Sequence, residues 1–219
     1  ALAQAAPGVP VIAEEQVAMG RVPTHDSHAF LVDALDGTRE FVAGGDDFTV
    51  NVALVEGGVP TFGIVLAPAA GRLFVTFAPQ RAAEAHVSPA MMRDRMVEPE
   101  FRDIATTEPD LGALRVLASR SHPAPGTTAF LQKLKVGRMR GVGSSLKFGM
   151  VAAGEADVYP RFGPTSAWDT AAGHAVLVAA GGAVTNADGA PLTYLGTSGS
   201  FLNPAFIAWG RATMIRTCL

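Results

Sequence analysis

The sequence predicts a layered α/β fold, of the α+β type in its first half, on three observations. From Phe48 onward, short apolar runs alternate with Gly-containing turns in the manner of an antiparallel meander. Beyond residue 111, strand-like runs alternate with helix-like ones, the pattern of helices stacked on a sheet. The most apolar stretch, Thr170 to Ala187, carries no Asp, Glu, Lys or Arg, yet Gly181-Gly182 interrupts it and Asp169 and Asp188 flank it. It reads as a buried helix followed by a strand, and is too short and broken to cross a bilayer, which needs about 20 apolar residues.

Taken in order, Ala1 to Ala6 has the composition of the last turns of a helix that begins earlier, and Gly8-Val9-Pro10 ends it before a strand at Val11-Ile12. Ala29 to Val32 has the composition of a buried strand. Asp36 can N-cap a short helix through Thr38 to Val42. The meander follows: Phe48 to Val55, the turn Glu56-Gly57-Gly58, Pro60 to Ala67, the turn Ala69-Ala70-Gly71, then Leu73 to Phe77. Residues 80 to 110 are charged and weakly periodic and read as a helix-loop connection, with a domain boundary near 111 dividing residues 1–110 from 111–219. Next come a strand at Arg115 to Ala118, a helix at Pro125 to Leu134 and a strand around Met139 to Val142. Ser144 is placed to N-cap a helix that runs to Ala153 and stops at Gly154. Asp157 to Tyr159, Ala183 to Thr185 and Phe206 to Trp209 read as strands, with a helix over Thr170 to Ala180.

A chain of 219 residues, 48% hydrophobic, can build a full core as one large domain or two small ones. Its net charge of −3, from 17 basic and 20 acidic residues, gives no electrostatic reason to expect a nucleic-acid polymer or an anionic membrane as partner. The basic run Lys133 to Arg140 reads as a solvated face. Cys218, the one cysteine, cannot form an internal disulfide, and a reducing cytoplasm is the expected location.

The chemistry concentrates in Leu31-Val32-Asp33-Ala34-Leu35-Asp36-Gly37-Thr38, an apolar run ending in two carboxylates three residues apart, a glycine and a hydroxyl. Asp33 sits where the strand leaves the sheet, and Gly37 lets the backbone turn closely around a bound group. Hard oxygen ligands so crowded suit Mg²⁺, which takes one or two protein carboxylates and completes its octahedron with water and phosphate oxygens. The amides of Gly37 and Thr38 can face an anion. Asp36-Gly37 is also an ordinary Asx-turn dipeptide. A phosphoaspartyl mechanism is disfavoured, because that chemistry spaces its two strand-end acids by two residues.

Three segments in fixed order carry a resemblance: Pro10-Val11-Ile12-Ala13-Glu14-Glu15, the Asp33 to Thr38 loop, and Gly163 to Gly173 containing Trp168-Asp169. Together they resemble the lithium-sensitive, Mg²⁺-dependent phosphatase superfamily that includes inositol monophosphatase. Asp36-Gly37-Thr38-Arg39-Glu40-Phe41, Phe48 to Leu54, Ser119-Arg120-Ser121-His122, Gly143-Ser144-Ser145-Leu146-Lys147-Phe148, Tyr159 to Pro164 and Phe201-Leu202-Asn203-Pro204 narrow the likeness to the CysQ-type 3′(2′),5′-bisphosphate nucleotidases. The narrowing rests mainly on Glu40, after the D-G-T-x, where inositol phosphatases usually show Asn, and on the Ser144 to Phe148 run. Ala34 stands where Pro is common.

The resemblance implies an αβαβα sandwich whose N-terminal helical hairpin would precede Ala1. It implies that Glu14, Asp33, Asp36, Asp169 and the Leu35 carbonyl hold the metal, and that Thr38 with Glu14 orients and helps deprotonate the attacking water. Gly37, Thr38 and Asp169 are implied to meet the substrate, and His122, Ser144, Lys147 and Arg161 the nucleotide. From the residues themselves, four carboxylates from three distant segments would repel by several kcal/mol unless divalent cations sat among them. Ser144 and Lys147, three apart at a helix start, share a face on which an ammonium and the helix N-terminus meet one phosphate. Asp169 has a second role open to it as a helix N-cap. His25 and His28 lack further ligands at zinc spacing and read as a polar loop, and His174 reads as a core histidine.

The expectation is therefore a Mg²⁺-dependent hydrolase that converts 3′-phosphoadenosine 5′-phosphate, a small bisphosphorylated nucleotide, to AMP and phosphate. Rivals are an inositol monophosphatase, a sugar bisphosphatase, and a non-catalytic nucleotide- or metal-binding domain.

Overall fold

The computed structural model describes residues 2–25, 28–93, 97–120, 124–195 and 200–219. The chain begins with α1 (Leu2–Ala5), β1 (Val11–Ala13) and α2 (Glu14–Ala18), continues through β2 (His28–Asp36) and α3 (Thr38–Val42), and then enters the meander β3 (Thr49–Glu56), β4 (Val59–Ala67), β5 (Arg72–Ala78) and β6 (Arg81–His86). After α4 (Pro89–Arg93) and β7 (Phe101–Ile104) come β8 (Leu114–Ser119), α5 (Pro125–Leu131), β9 (Val136–Val142) and α6 (Leu146–Ala152). The chain closes with β10 (Val158–Arg161), α7 (Ala167–Ala179), β11 (Ala183–Asn186), β12 (Phe206–Trp209) and α8 (Thr213–Cys218).

Among the described residues, one sheet has the order β1-β2-β3-β4-β5-β6-β7 and the other β11-β12-β10-β8-β9. In the first, only β1 and β2 run parallel, as expected where α2 separates them; the remainder is a meander. In the second, β10, β8 and β9 are mutually parallel and β12 is antiparallel to both β10 and β11. The layered α/β architecture is thus two sheets sandwiching α6 and α7: α7 packs on β3 and β4, and α6 on α7, β4, β10 and β12. The main core fills this space with Phe74, Phe148, Val176, Leu177 and Phe206. A second cluster of Leu114, Val116, Phe130, Trp209 and Met214 seals the outer face of the second sheet.

Covered on both faces, α7 is apolar all round rather than amphipathic, and eleven of its residues are buried. Small residues let it sit close. A Cβ on Gly63 of β4 would come within 2.2 Å of the Ala172 carbonyl oxygen, and one on Gly173 within 2.5 Å of Phe148. This approach brings the first turn of α7 against the open end of β2.

Several sequence expectations shift. Residues 80 to 110 are not a helix-loop connection: β6 and β7 complete the first sheet. Arg81-Ala82-Ala83-Glu84-Ala85-His86 is poor in β-branched residues, so pairing with β5 and β7 decides its state rather than propensity. Its buried Glu84 is held between Arg72 Nε at 2.5 Å and Arg102 Nη2 at 2.7 Å. Ser144 is not the cap of α6; it has φ of 46°, and Ser145 is the residue that precedes the helix. Asp36 does not cap α3, which starts after Gly37 with φ of 89°. The chain passes between sheets from Ile104 to Leu114, while the main core draws residues from both halves. No helix among the described residues is long and apolar enough to cross a membrane.

Gly63→Ala should lower unfolding free energy by at least about 2 kcal/mol, since backbone rather than a yielding side chain blocks the added methyl. Urea denaturation of the purified protein measures this; stability within about 0.5 kcal/mol of wild type would contradict the close α7 contact.

Candidate active site

In a regular strand, residues three apart point to opposite faces. Asp33 pairs with Asn51 and Asp36 with Thr49, so the register slips by one between them, and the resulting bulge turns both carboxylates to the same side of the sheet. Leu35 lies within the bulge: its N–H donates to Asp33 Oδ1 at 2.8 Å, and its carbonyl accepts from Thr38 Oγ1 at 3.1 Å. Gly37 then makes the left-handed turn that L-residues avoid, packed so closely that a Cβ would lie 2.9 Å from the Asp47 carbonyl oxygen.

Glu14 follows β1, parallel to β2, and so arrives beside Asp33. Asp169 lies in the first turn of α7, where its Oδ2 accepts from Ser166 N at 2.8 Å. It is thus the third residue of the helix, with Ser166 as the cap. Glu14, Asp33 and Asp169 each offer a carboxylate oxygen, and these three atoms lie within 4.8 Å of one another. Asp36 stands behind them: its Oδ2 accepts from Ser145 N at 2.6 Å, Thr49 Oγ1 at 3.4 Å and Asn51 Nδ2 at 3.5 Å. Ser145 Oγ donates to Asn51 Oδ1 at 2.6 Å, so the single proton of the Thr49 hydroxyl is divided between its 2.9 Å contact with Ser145 Oγ and its longer contact with Asp36.

Packing these acids together is costly. Burial, then the charge of Asp36, pushes Asp33 up to about 8 and Asp169 up to about 7. Burial and the charges of Glu15 and Asp36 raise Glu14. Burial also raises Asp36, against the opposing pull of Lys147 and the Ser145 amide. The donor set is entirely hard oxygen, drawn from three segments and convergent within one cation's reach. These residues fit a divalent cation of the Mg²⁺ class.

A cleft of about 240 Å³ opens over this floor, lined by Asp36, Thr38, Asp169 and, on its walls, Arg39, Lys147 and Arg161. Gly37, Ser144 and Thr170 also face it. Lys147 is buried, and its Nζ donates to the carbonyls of Val142 at 3.1 Å and Ser144 at 2.5 Å and sits 4.9 Å over the Tyr159 ring. Burial drives it down to about 8 despite Asp36 nearby. Arg161 is buried too: Nη2 donates to the Pro164 carbonyl at 2.9 Å, while Nε has no partner among the described residues. Arg39 is exposed at the rim. His122 lies outside the described residues. His174 is a buried core residue, its Nδ1 3.1 Å from Tyr194 Oη. His28 is exposed, 3.9 Å from Glu56, and His25 packs on Phe201.

The sequence reading did not single out Thr49, Asn51 and Ser145 as supports of Asp36. The signal was present: Thr49 and Asn51 alternate on one face of β3, both fully buried polar residues in a strand otherwise apolar as far as Val55. Asp47 was missed as well. It holds the Gly143 amide at 2.9 Å and Arg120 Nη2 at 2.9 Å, fixing the turn that presents Ser145.

Comparison with known proteins gives the family and the fold. The inositol monophosphatase family model matches residues 1–214. The 3′(2′),5′-bisphosphate nucleotidase CysQ of Salmonella typhimurium is 42% identical over 200 residues, 91% of this chain and 75% of that protein. The protein of the same name from Escherichia coli K12 matches equally well, at 42% over the same shares. Among solved structures, CysQ from Bacteroides thetaiotaomicron superposes with a TM-score of 0.74 at 34% identity, over 94% of this chain and 78% of that one. An inositol monophosphatase from Zymomonas mobilis shares the fold, with a TM-score of 0.72 at 22% identity over 99% of this chain and 76% of that one.

Raised carboxyl groups take up protons on folding, so the stability they confer is present at low pH and lost as pH rises through about 7 to 8. Without metal, the melting temperature should fall between about pH 6 and about pH 9, and Asp33→Asn should flatten that fall and raise the value at the alkaline end. Thermal melts in chelator measure both; a wild-type profile flat across this range would contradict the cluster's electrostatics.

Proposed function

The chain belongs to the inositol monophosphatase family and is a phosphatase of that superfamily, and within it we propose a 3′(2′),5′-bisphosphate nucleotidase that hydrolyses 3′-phosphoadenosine 5′-phosphate to AMP and phosphate. One observation carries this reading. A single cleft joins a carboxylate floor to a wall of three cations, Arg39, Lys147 and Arg161, which suits a substrate with one phosphate to be cleaved and a second to be held. The CysQ relatives, nucleotidases by name, support the same substrate class.

In this reading Glu14, Asp33, Asp36, Asp169 and the Leu35 carbonyl hold Mg²⁺. When bound, the cation lowers the pKa of water and offsets charge on the phosphate oxygens. The reacting phosphate meets the amides of Gly37 and Thr38, which need no side-chain donor to neutralise an oxygen. Thr38 Oγ1 gives its own proton to the Leu35 carbonyl, so its lone pairs are what it presents to the attacking water. Accepting one water proton there and directing the other toward Glu14 would point the water's lone pair at phosphorus, in line with the leaving 3′ oxygen. The water attacks directly, and no phosphoenzyme forms.

For the second phosphate, the unpartnered, buried Nε of Arg161 supports a role as donor, because such a group is otherwise costly. Lys147 contributes its charge, with two of its hydrogens already engaged by carbonyls. The 46° φ of Ser144, sparsely populated for a residue with a Cβ, suits a segment held in place for binding. His122 is assigned to the nucleotide on resemblance alone.

Turnover of bisphosphonucleotide, inositol monophosphate and fructose bisphosphate, compared with Mg²⁺ present, tests the substrate class. A kcat/KM for the nucleotide at least about 100-fold above the others is expected; preference for inositol phosphate would replace the proposal. Asp33→Asn and Asp169→Asn should each abolish turnover and leave a folded protein. Thr38→Ala should lower kcat by at least about tenfold with little change in KM, and Thr38→Ser should restore most of it. Wild-type kcat in Thr38→Ala would return the hydroxyl to a purely structural role.

A further inference from the structure

The segment that leads into β12 lies along the start of α7. Ala167 N donates to the Phe201 carbonyl at 2.7 Å, Asn203 N donates to the Thr165 carbonyl at 2.9 Å, and Ser166 pairs with Leu202 as an isolated bridge. Asn203 then adds its side chain. Its Nδ2 donates to the Ser166 carbonyl at 2.7 Å and faces Thr170 Oγ1 at 3.0 Å and Thr165 Oγ1 at 3.1 Å. The amide has two hydrogens; the shortest contact claims one, and the two hydroxyls share the other.

All three acceptors flank Asp169 in sequence, and none is Asp169 itself. Ser166 is the residue whose N–H grips Asp169 Oδ2 at 2.8 Å, and Thr170 begins the next step of the helix. Thr170 is buried and interacts with Tyr194, which in turn bonds the buried His174, so the clasp is tied into the core. A carboxylate that must lie within 4.8 Å of two others is pushed away from them by their charge. Something must hold it there.

We propose that Asn203 is a positioning residue for the metal site: by clamping Ser166 and Thr170 on either side of Asp169, it fixes the direction in which the Asp169 carboxylate meets those of Glu14 and Asp33. This role rests on the metal-site reading above. Outer partners of metal ligands act in this way, and losing one typically weakens metal affinity by about 10- to 100-fold.

The test is Mn²⁺ binding to the full chain, followed by the electron paramagnetic resonance signal of the free ion, with no substrate present. Asn203→Ala should raise the Mn²⁺ Kd by at least about tenfold, retain wild-type circular dichroism, and recover kcat to within about threefold at saturating Mg²⁺. Asn203→Ser, which keeps one donor on a shorter arm, should fall between Ala and wild type. If Asn203→Ala does not fold, Asn203→Ser carries the test, with at least about threefold weaker binding expected. Asp169→Asn, measured alongside, should lose binding. Loss in Asp169→Asn together with wild-type affinity in the folded Asn203 variants overturns the positioning role alone. Wild-type affinity in Asp169→Asn overturns the metal reading, and this role with it.

Discussion

Four carboxylates forced together are the constraint around which the molecule is arranged. Glu14, Asp33, Asp36 and Asp169 come from β1's end, a bulge, a strand terminus and a helix start, and mutual repulsion plus lost hydration opposes bringing them together. The three aspartates are each restrained by a backbone donor: the Leu35 amide on Asp33, the Ser145 amide on Asp36, the Ser166 amide on Asp169. Backbone donors stabilise the ionised form without filling the space between the acids, which stays open for a cation. A salt-bridged cluster would have been more stable alone and useless for binding one.

The layering serves that constraint. The close approach of Gly63 and Ala172 lets α7 lie tight on the first sheet, Gly173 lets it lie tight on α6, and this packing sets how near Asp169 comes to Asp33. The turn before α6, held by Asp47 and by Lys147's bonds to two carbonyls, delivers the Ser145 amide to Asp36 and builds the wall of the cleft. Lys147 is therefore a structural clamp as well as the proposed phosphate contact, and its burial ties the two together.

Much of this was legible in the sequence, for identifiable reasons. The meander announced itself through alternation and glycine turns, and α7 through its charge-free length between two aspartates. The acids were visible as a motif, but their convergence was not: a spacing of three in a strand predicts opposite faces, and only the bulge, a register feature set by pairing with β3, reverses that. β6 was hidden because its alanines carry no strand signal and its buried Glu84 is neutralised by arginines from the strands on either side. The caps of α6 and α7 were each misplaced, by one residue and by three, since Ser-Ser and Ser166 to Asp169 offer several capping groups and tertiary bonds choose among them. Asn203 was quoted as part of a motif with no function, because its three acceptors lie over thirty residues upstream.

The central claim is that the folded cluster holds protons which a divalent cation displaces. Calorimetric titration of the metal-free protein with Mg²⁺, repeated from about pH 6 to about pH 8.5 in buffers of different ionisation enthalpy, counts those protons directly. The account predicts net proton release near neutral pH and an affinity that climbs with pH through the range where Asp33 and Asp169 titrate. Binding with no proton release and an affinity independent of pH would contradict it.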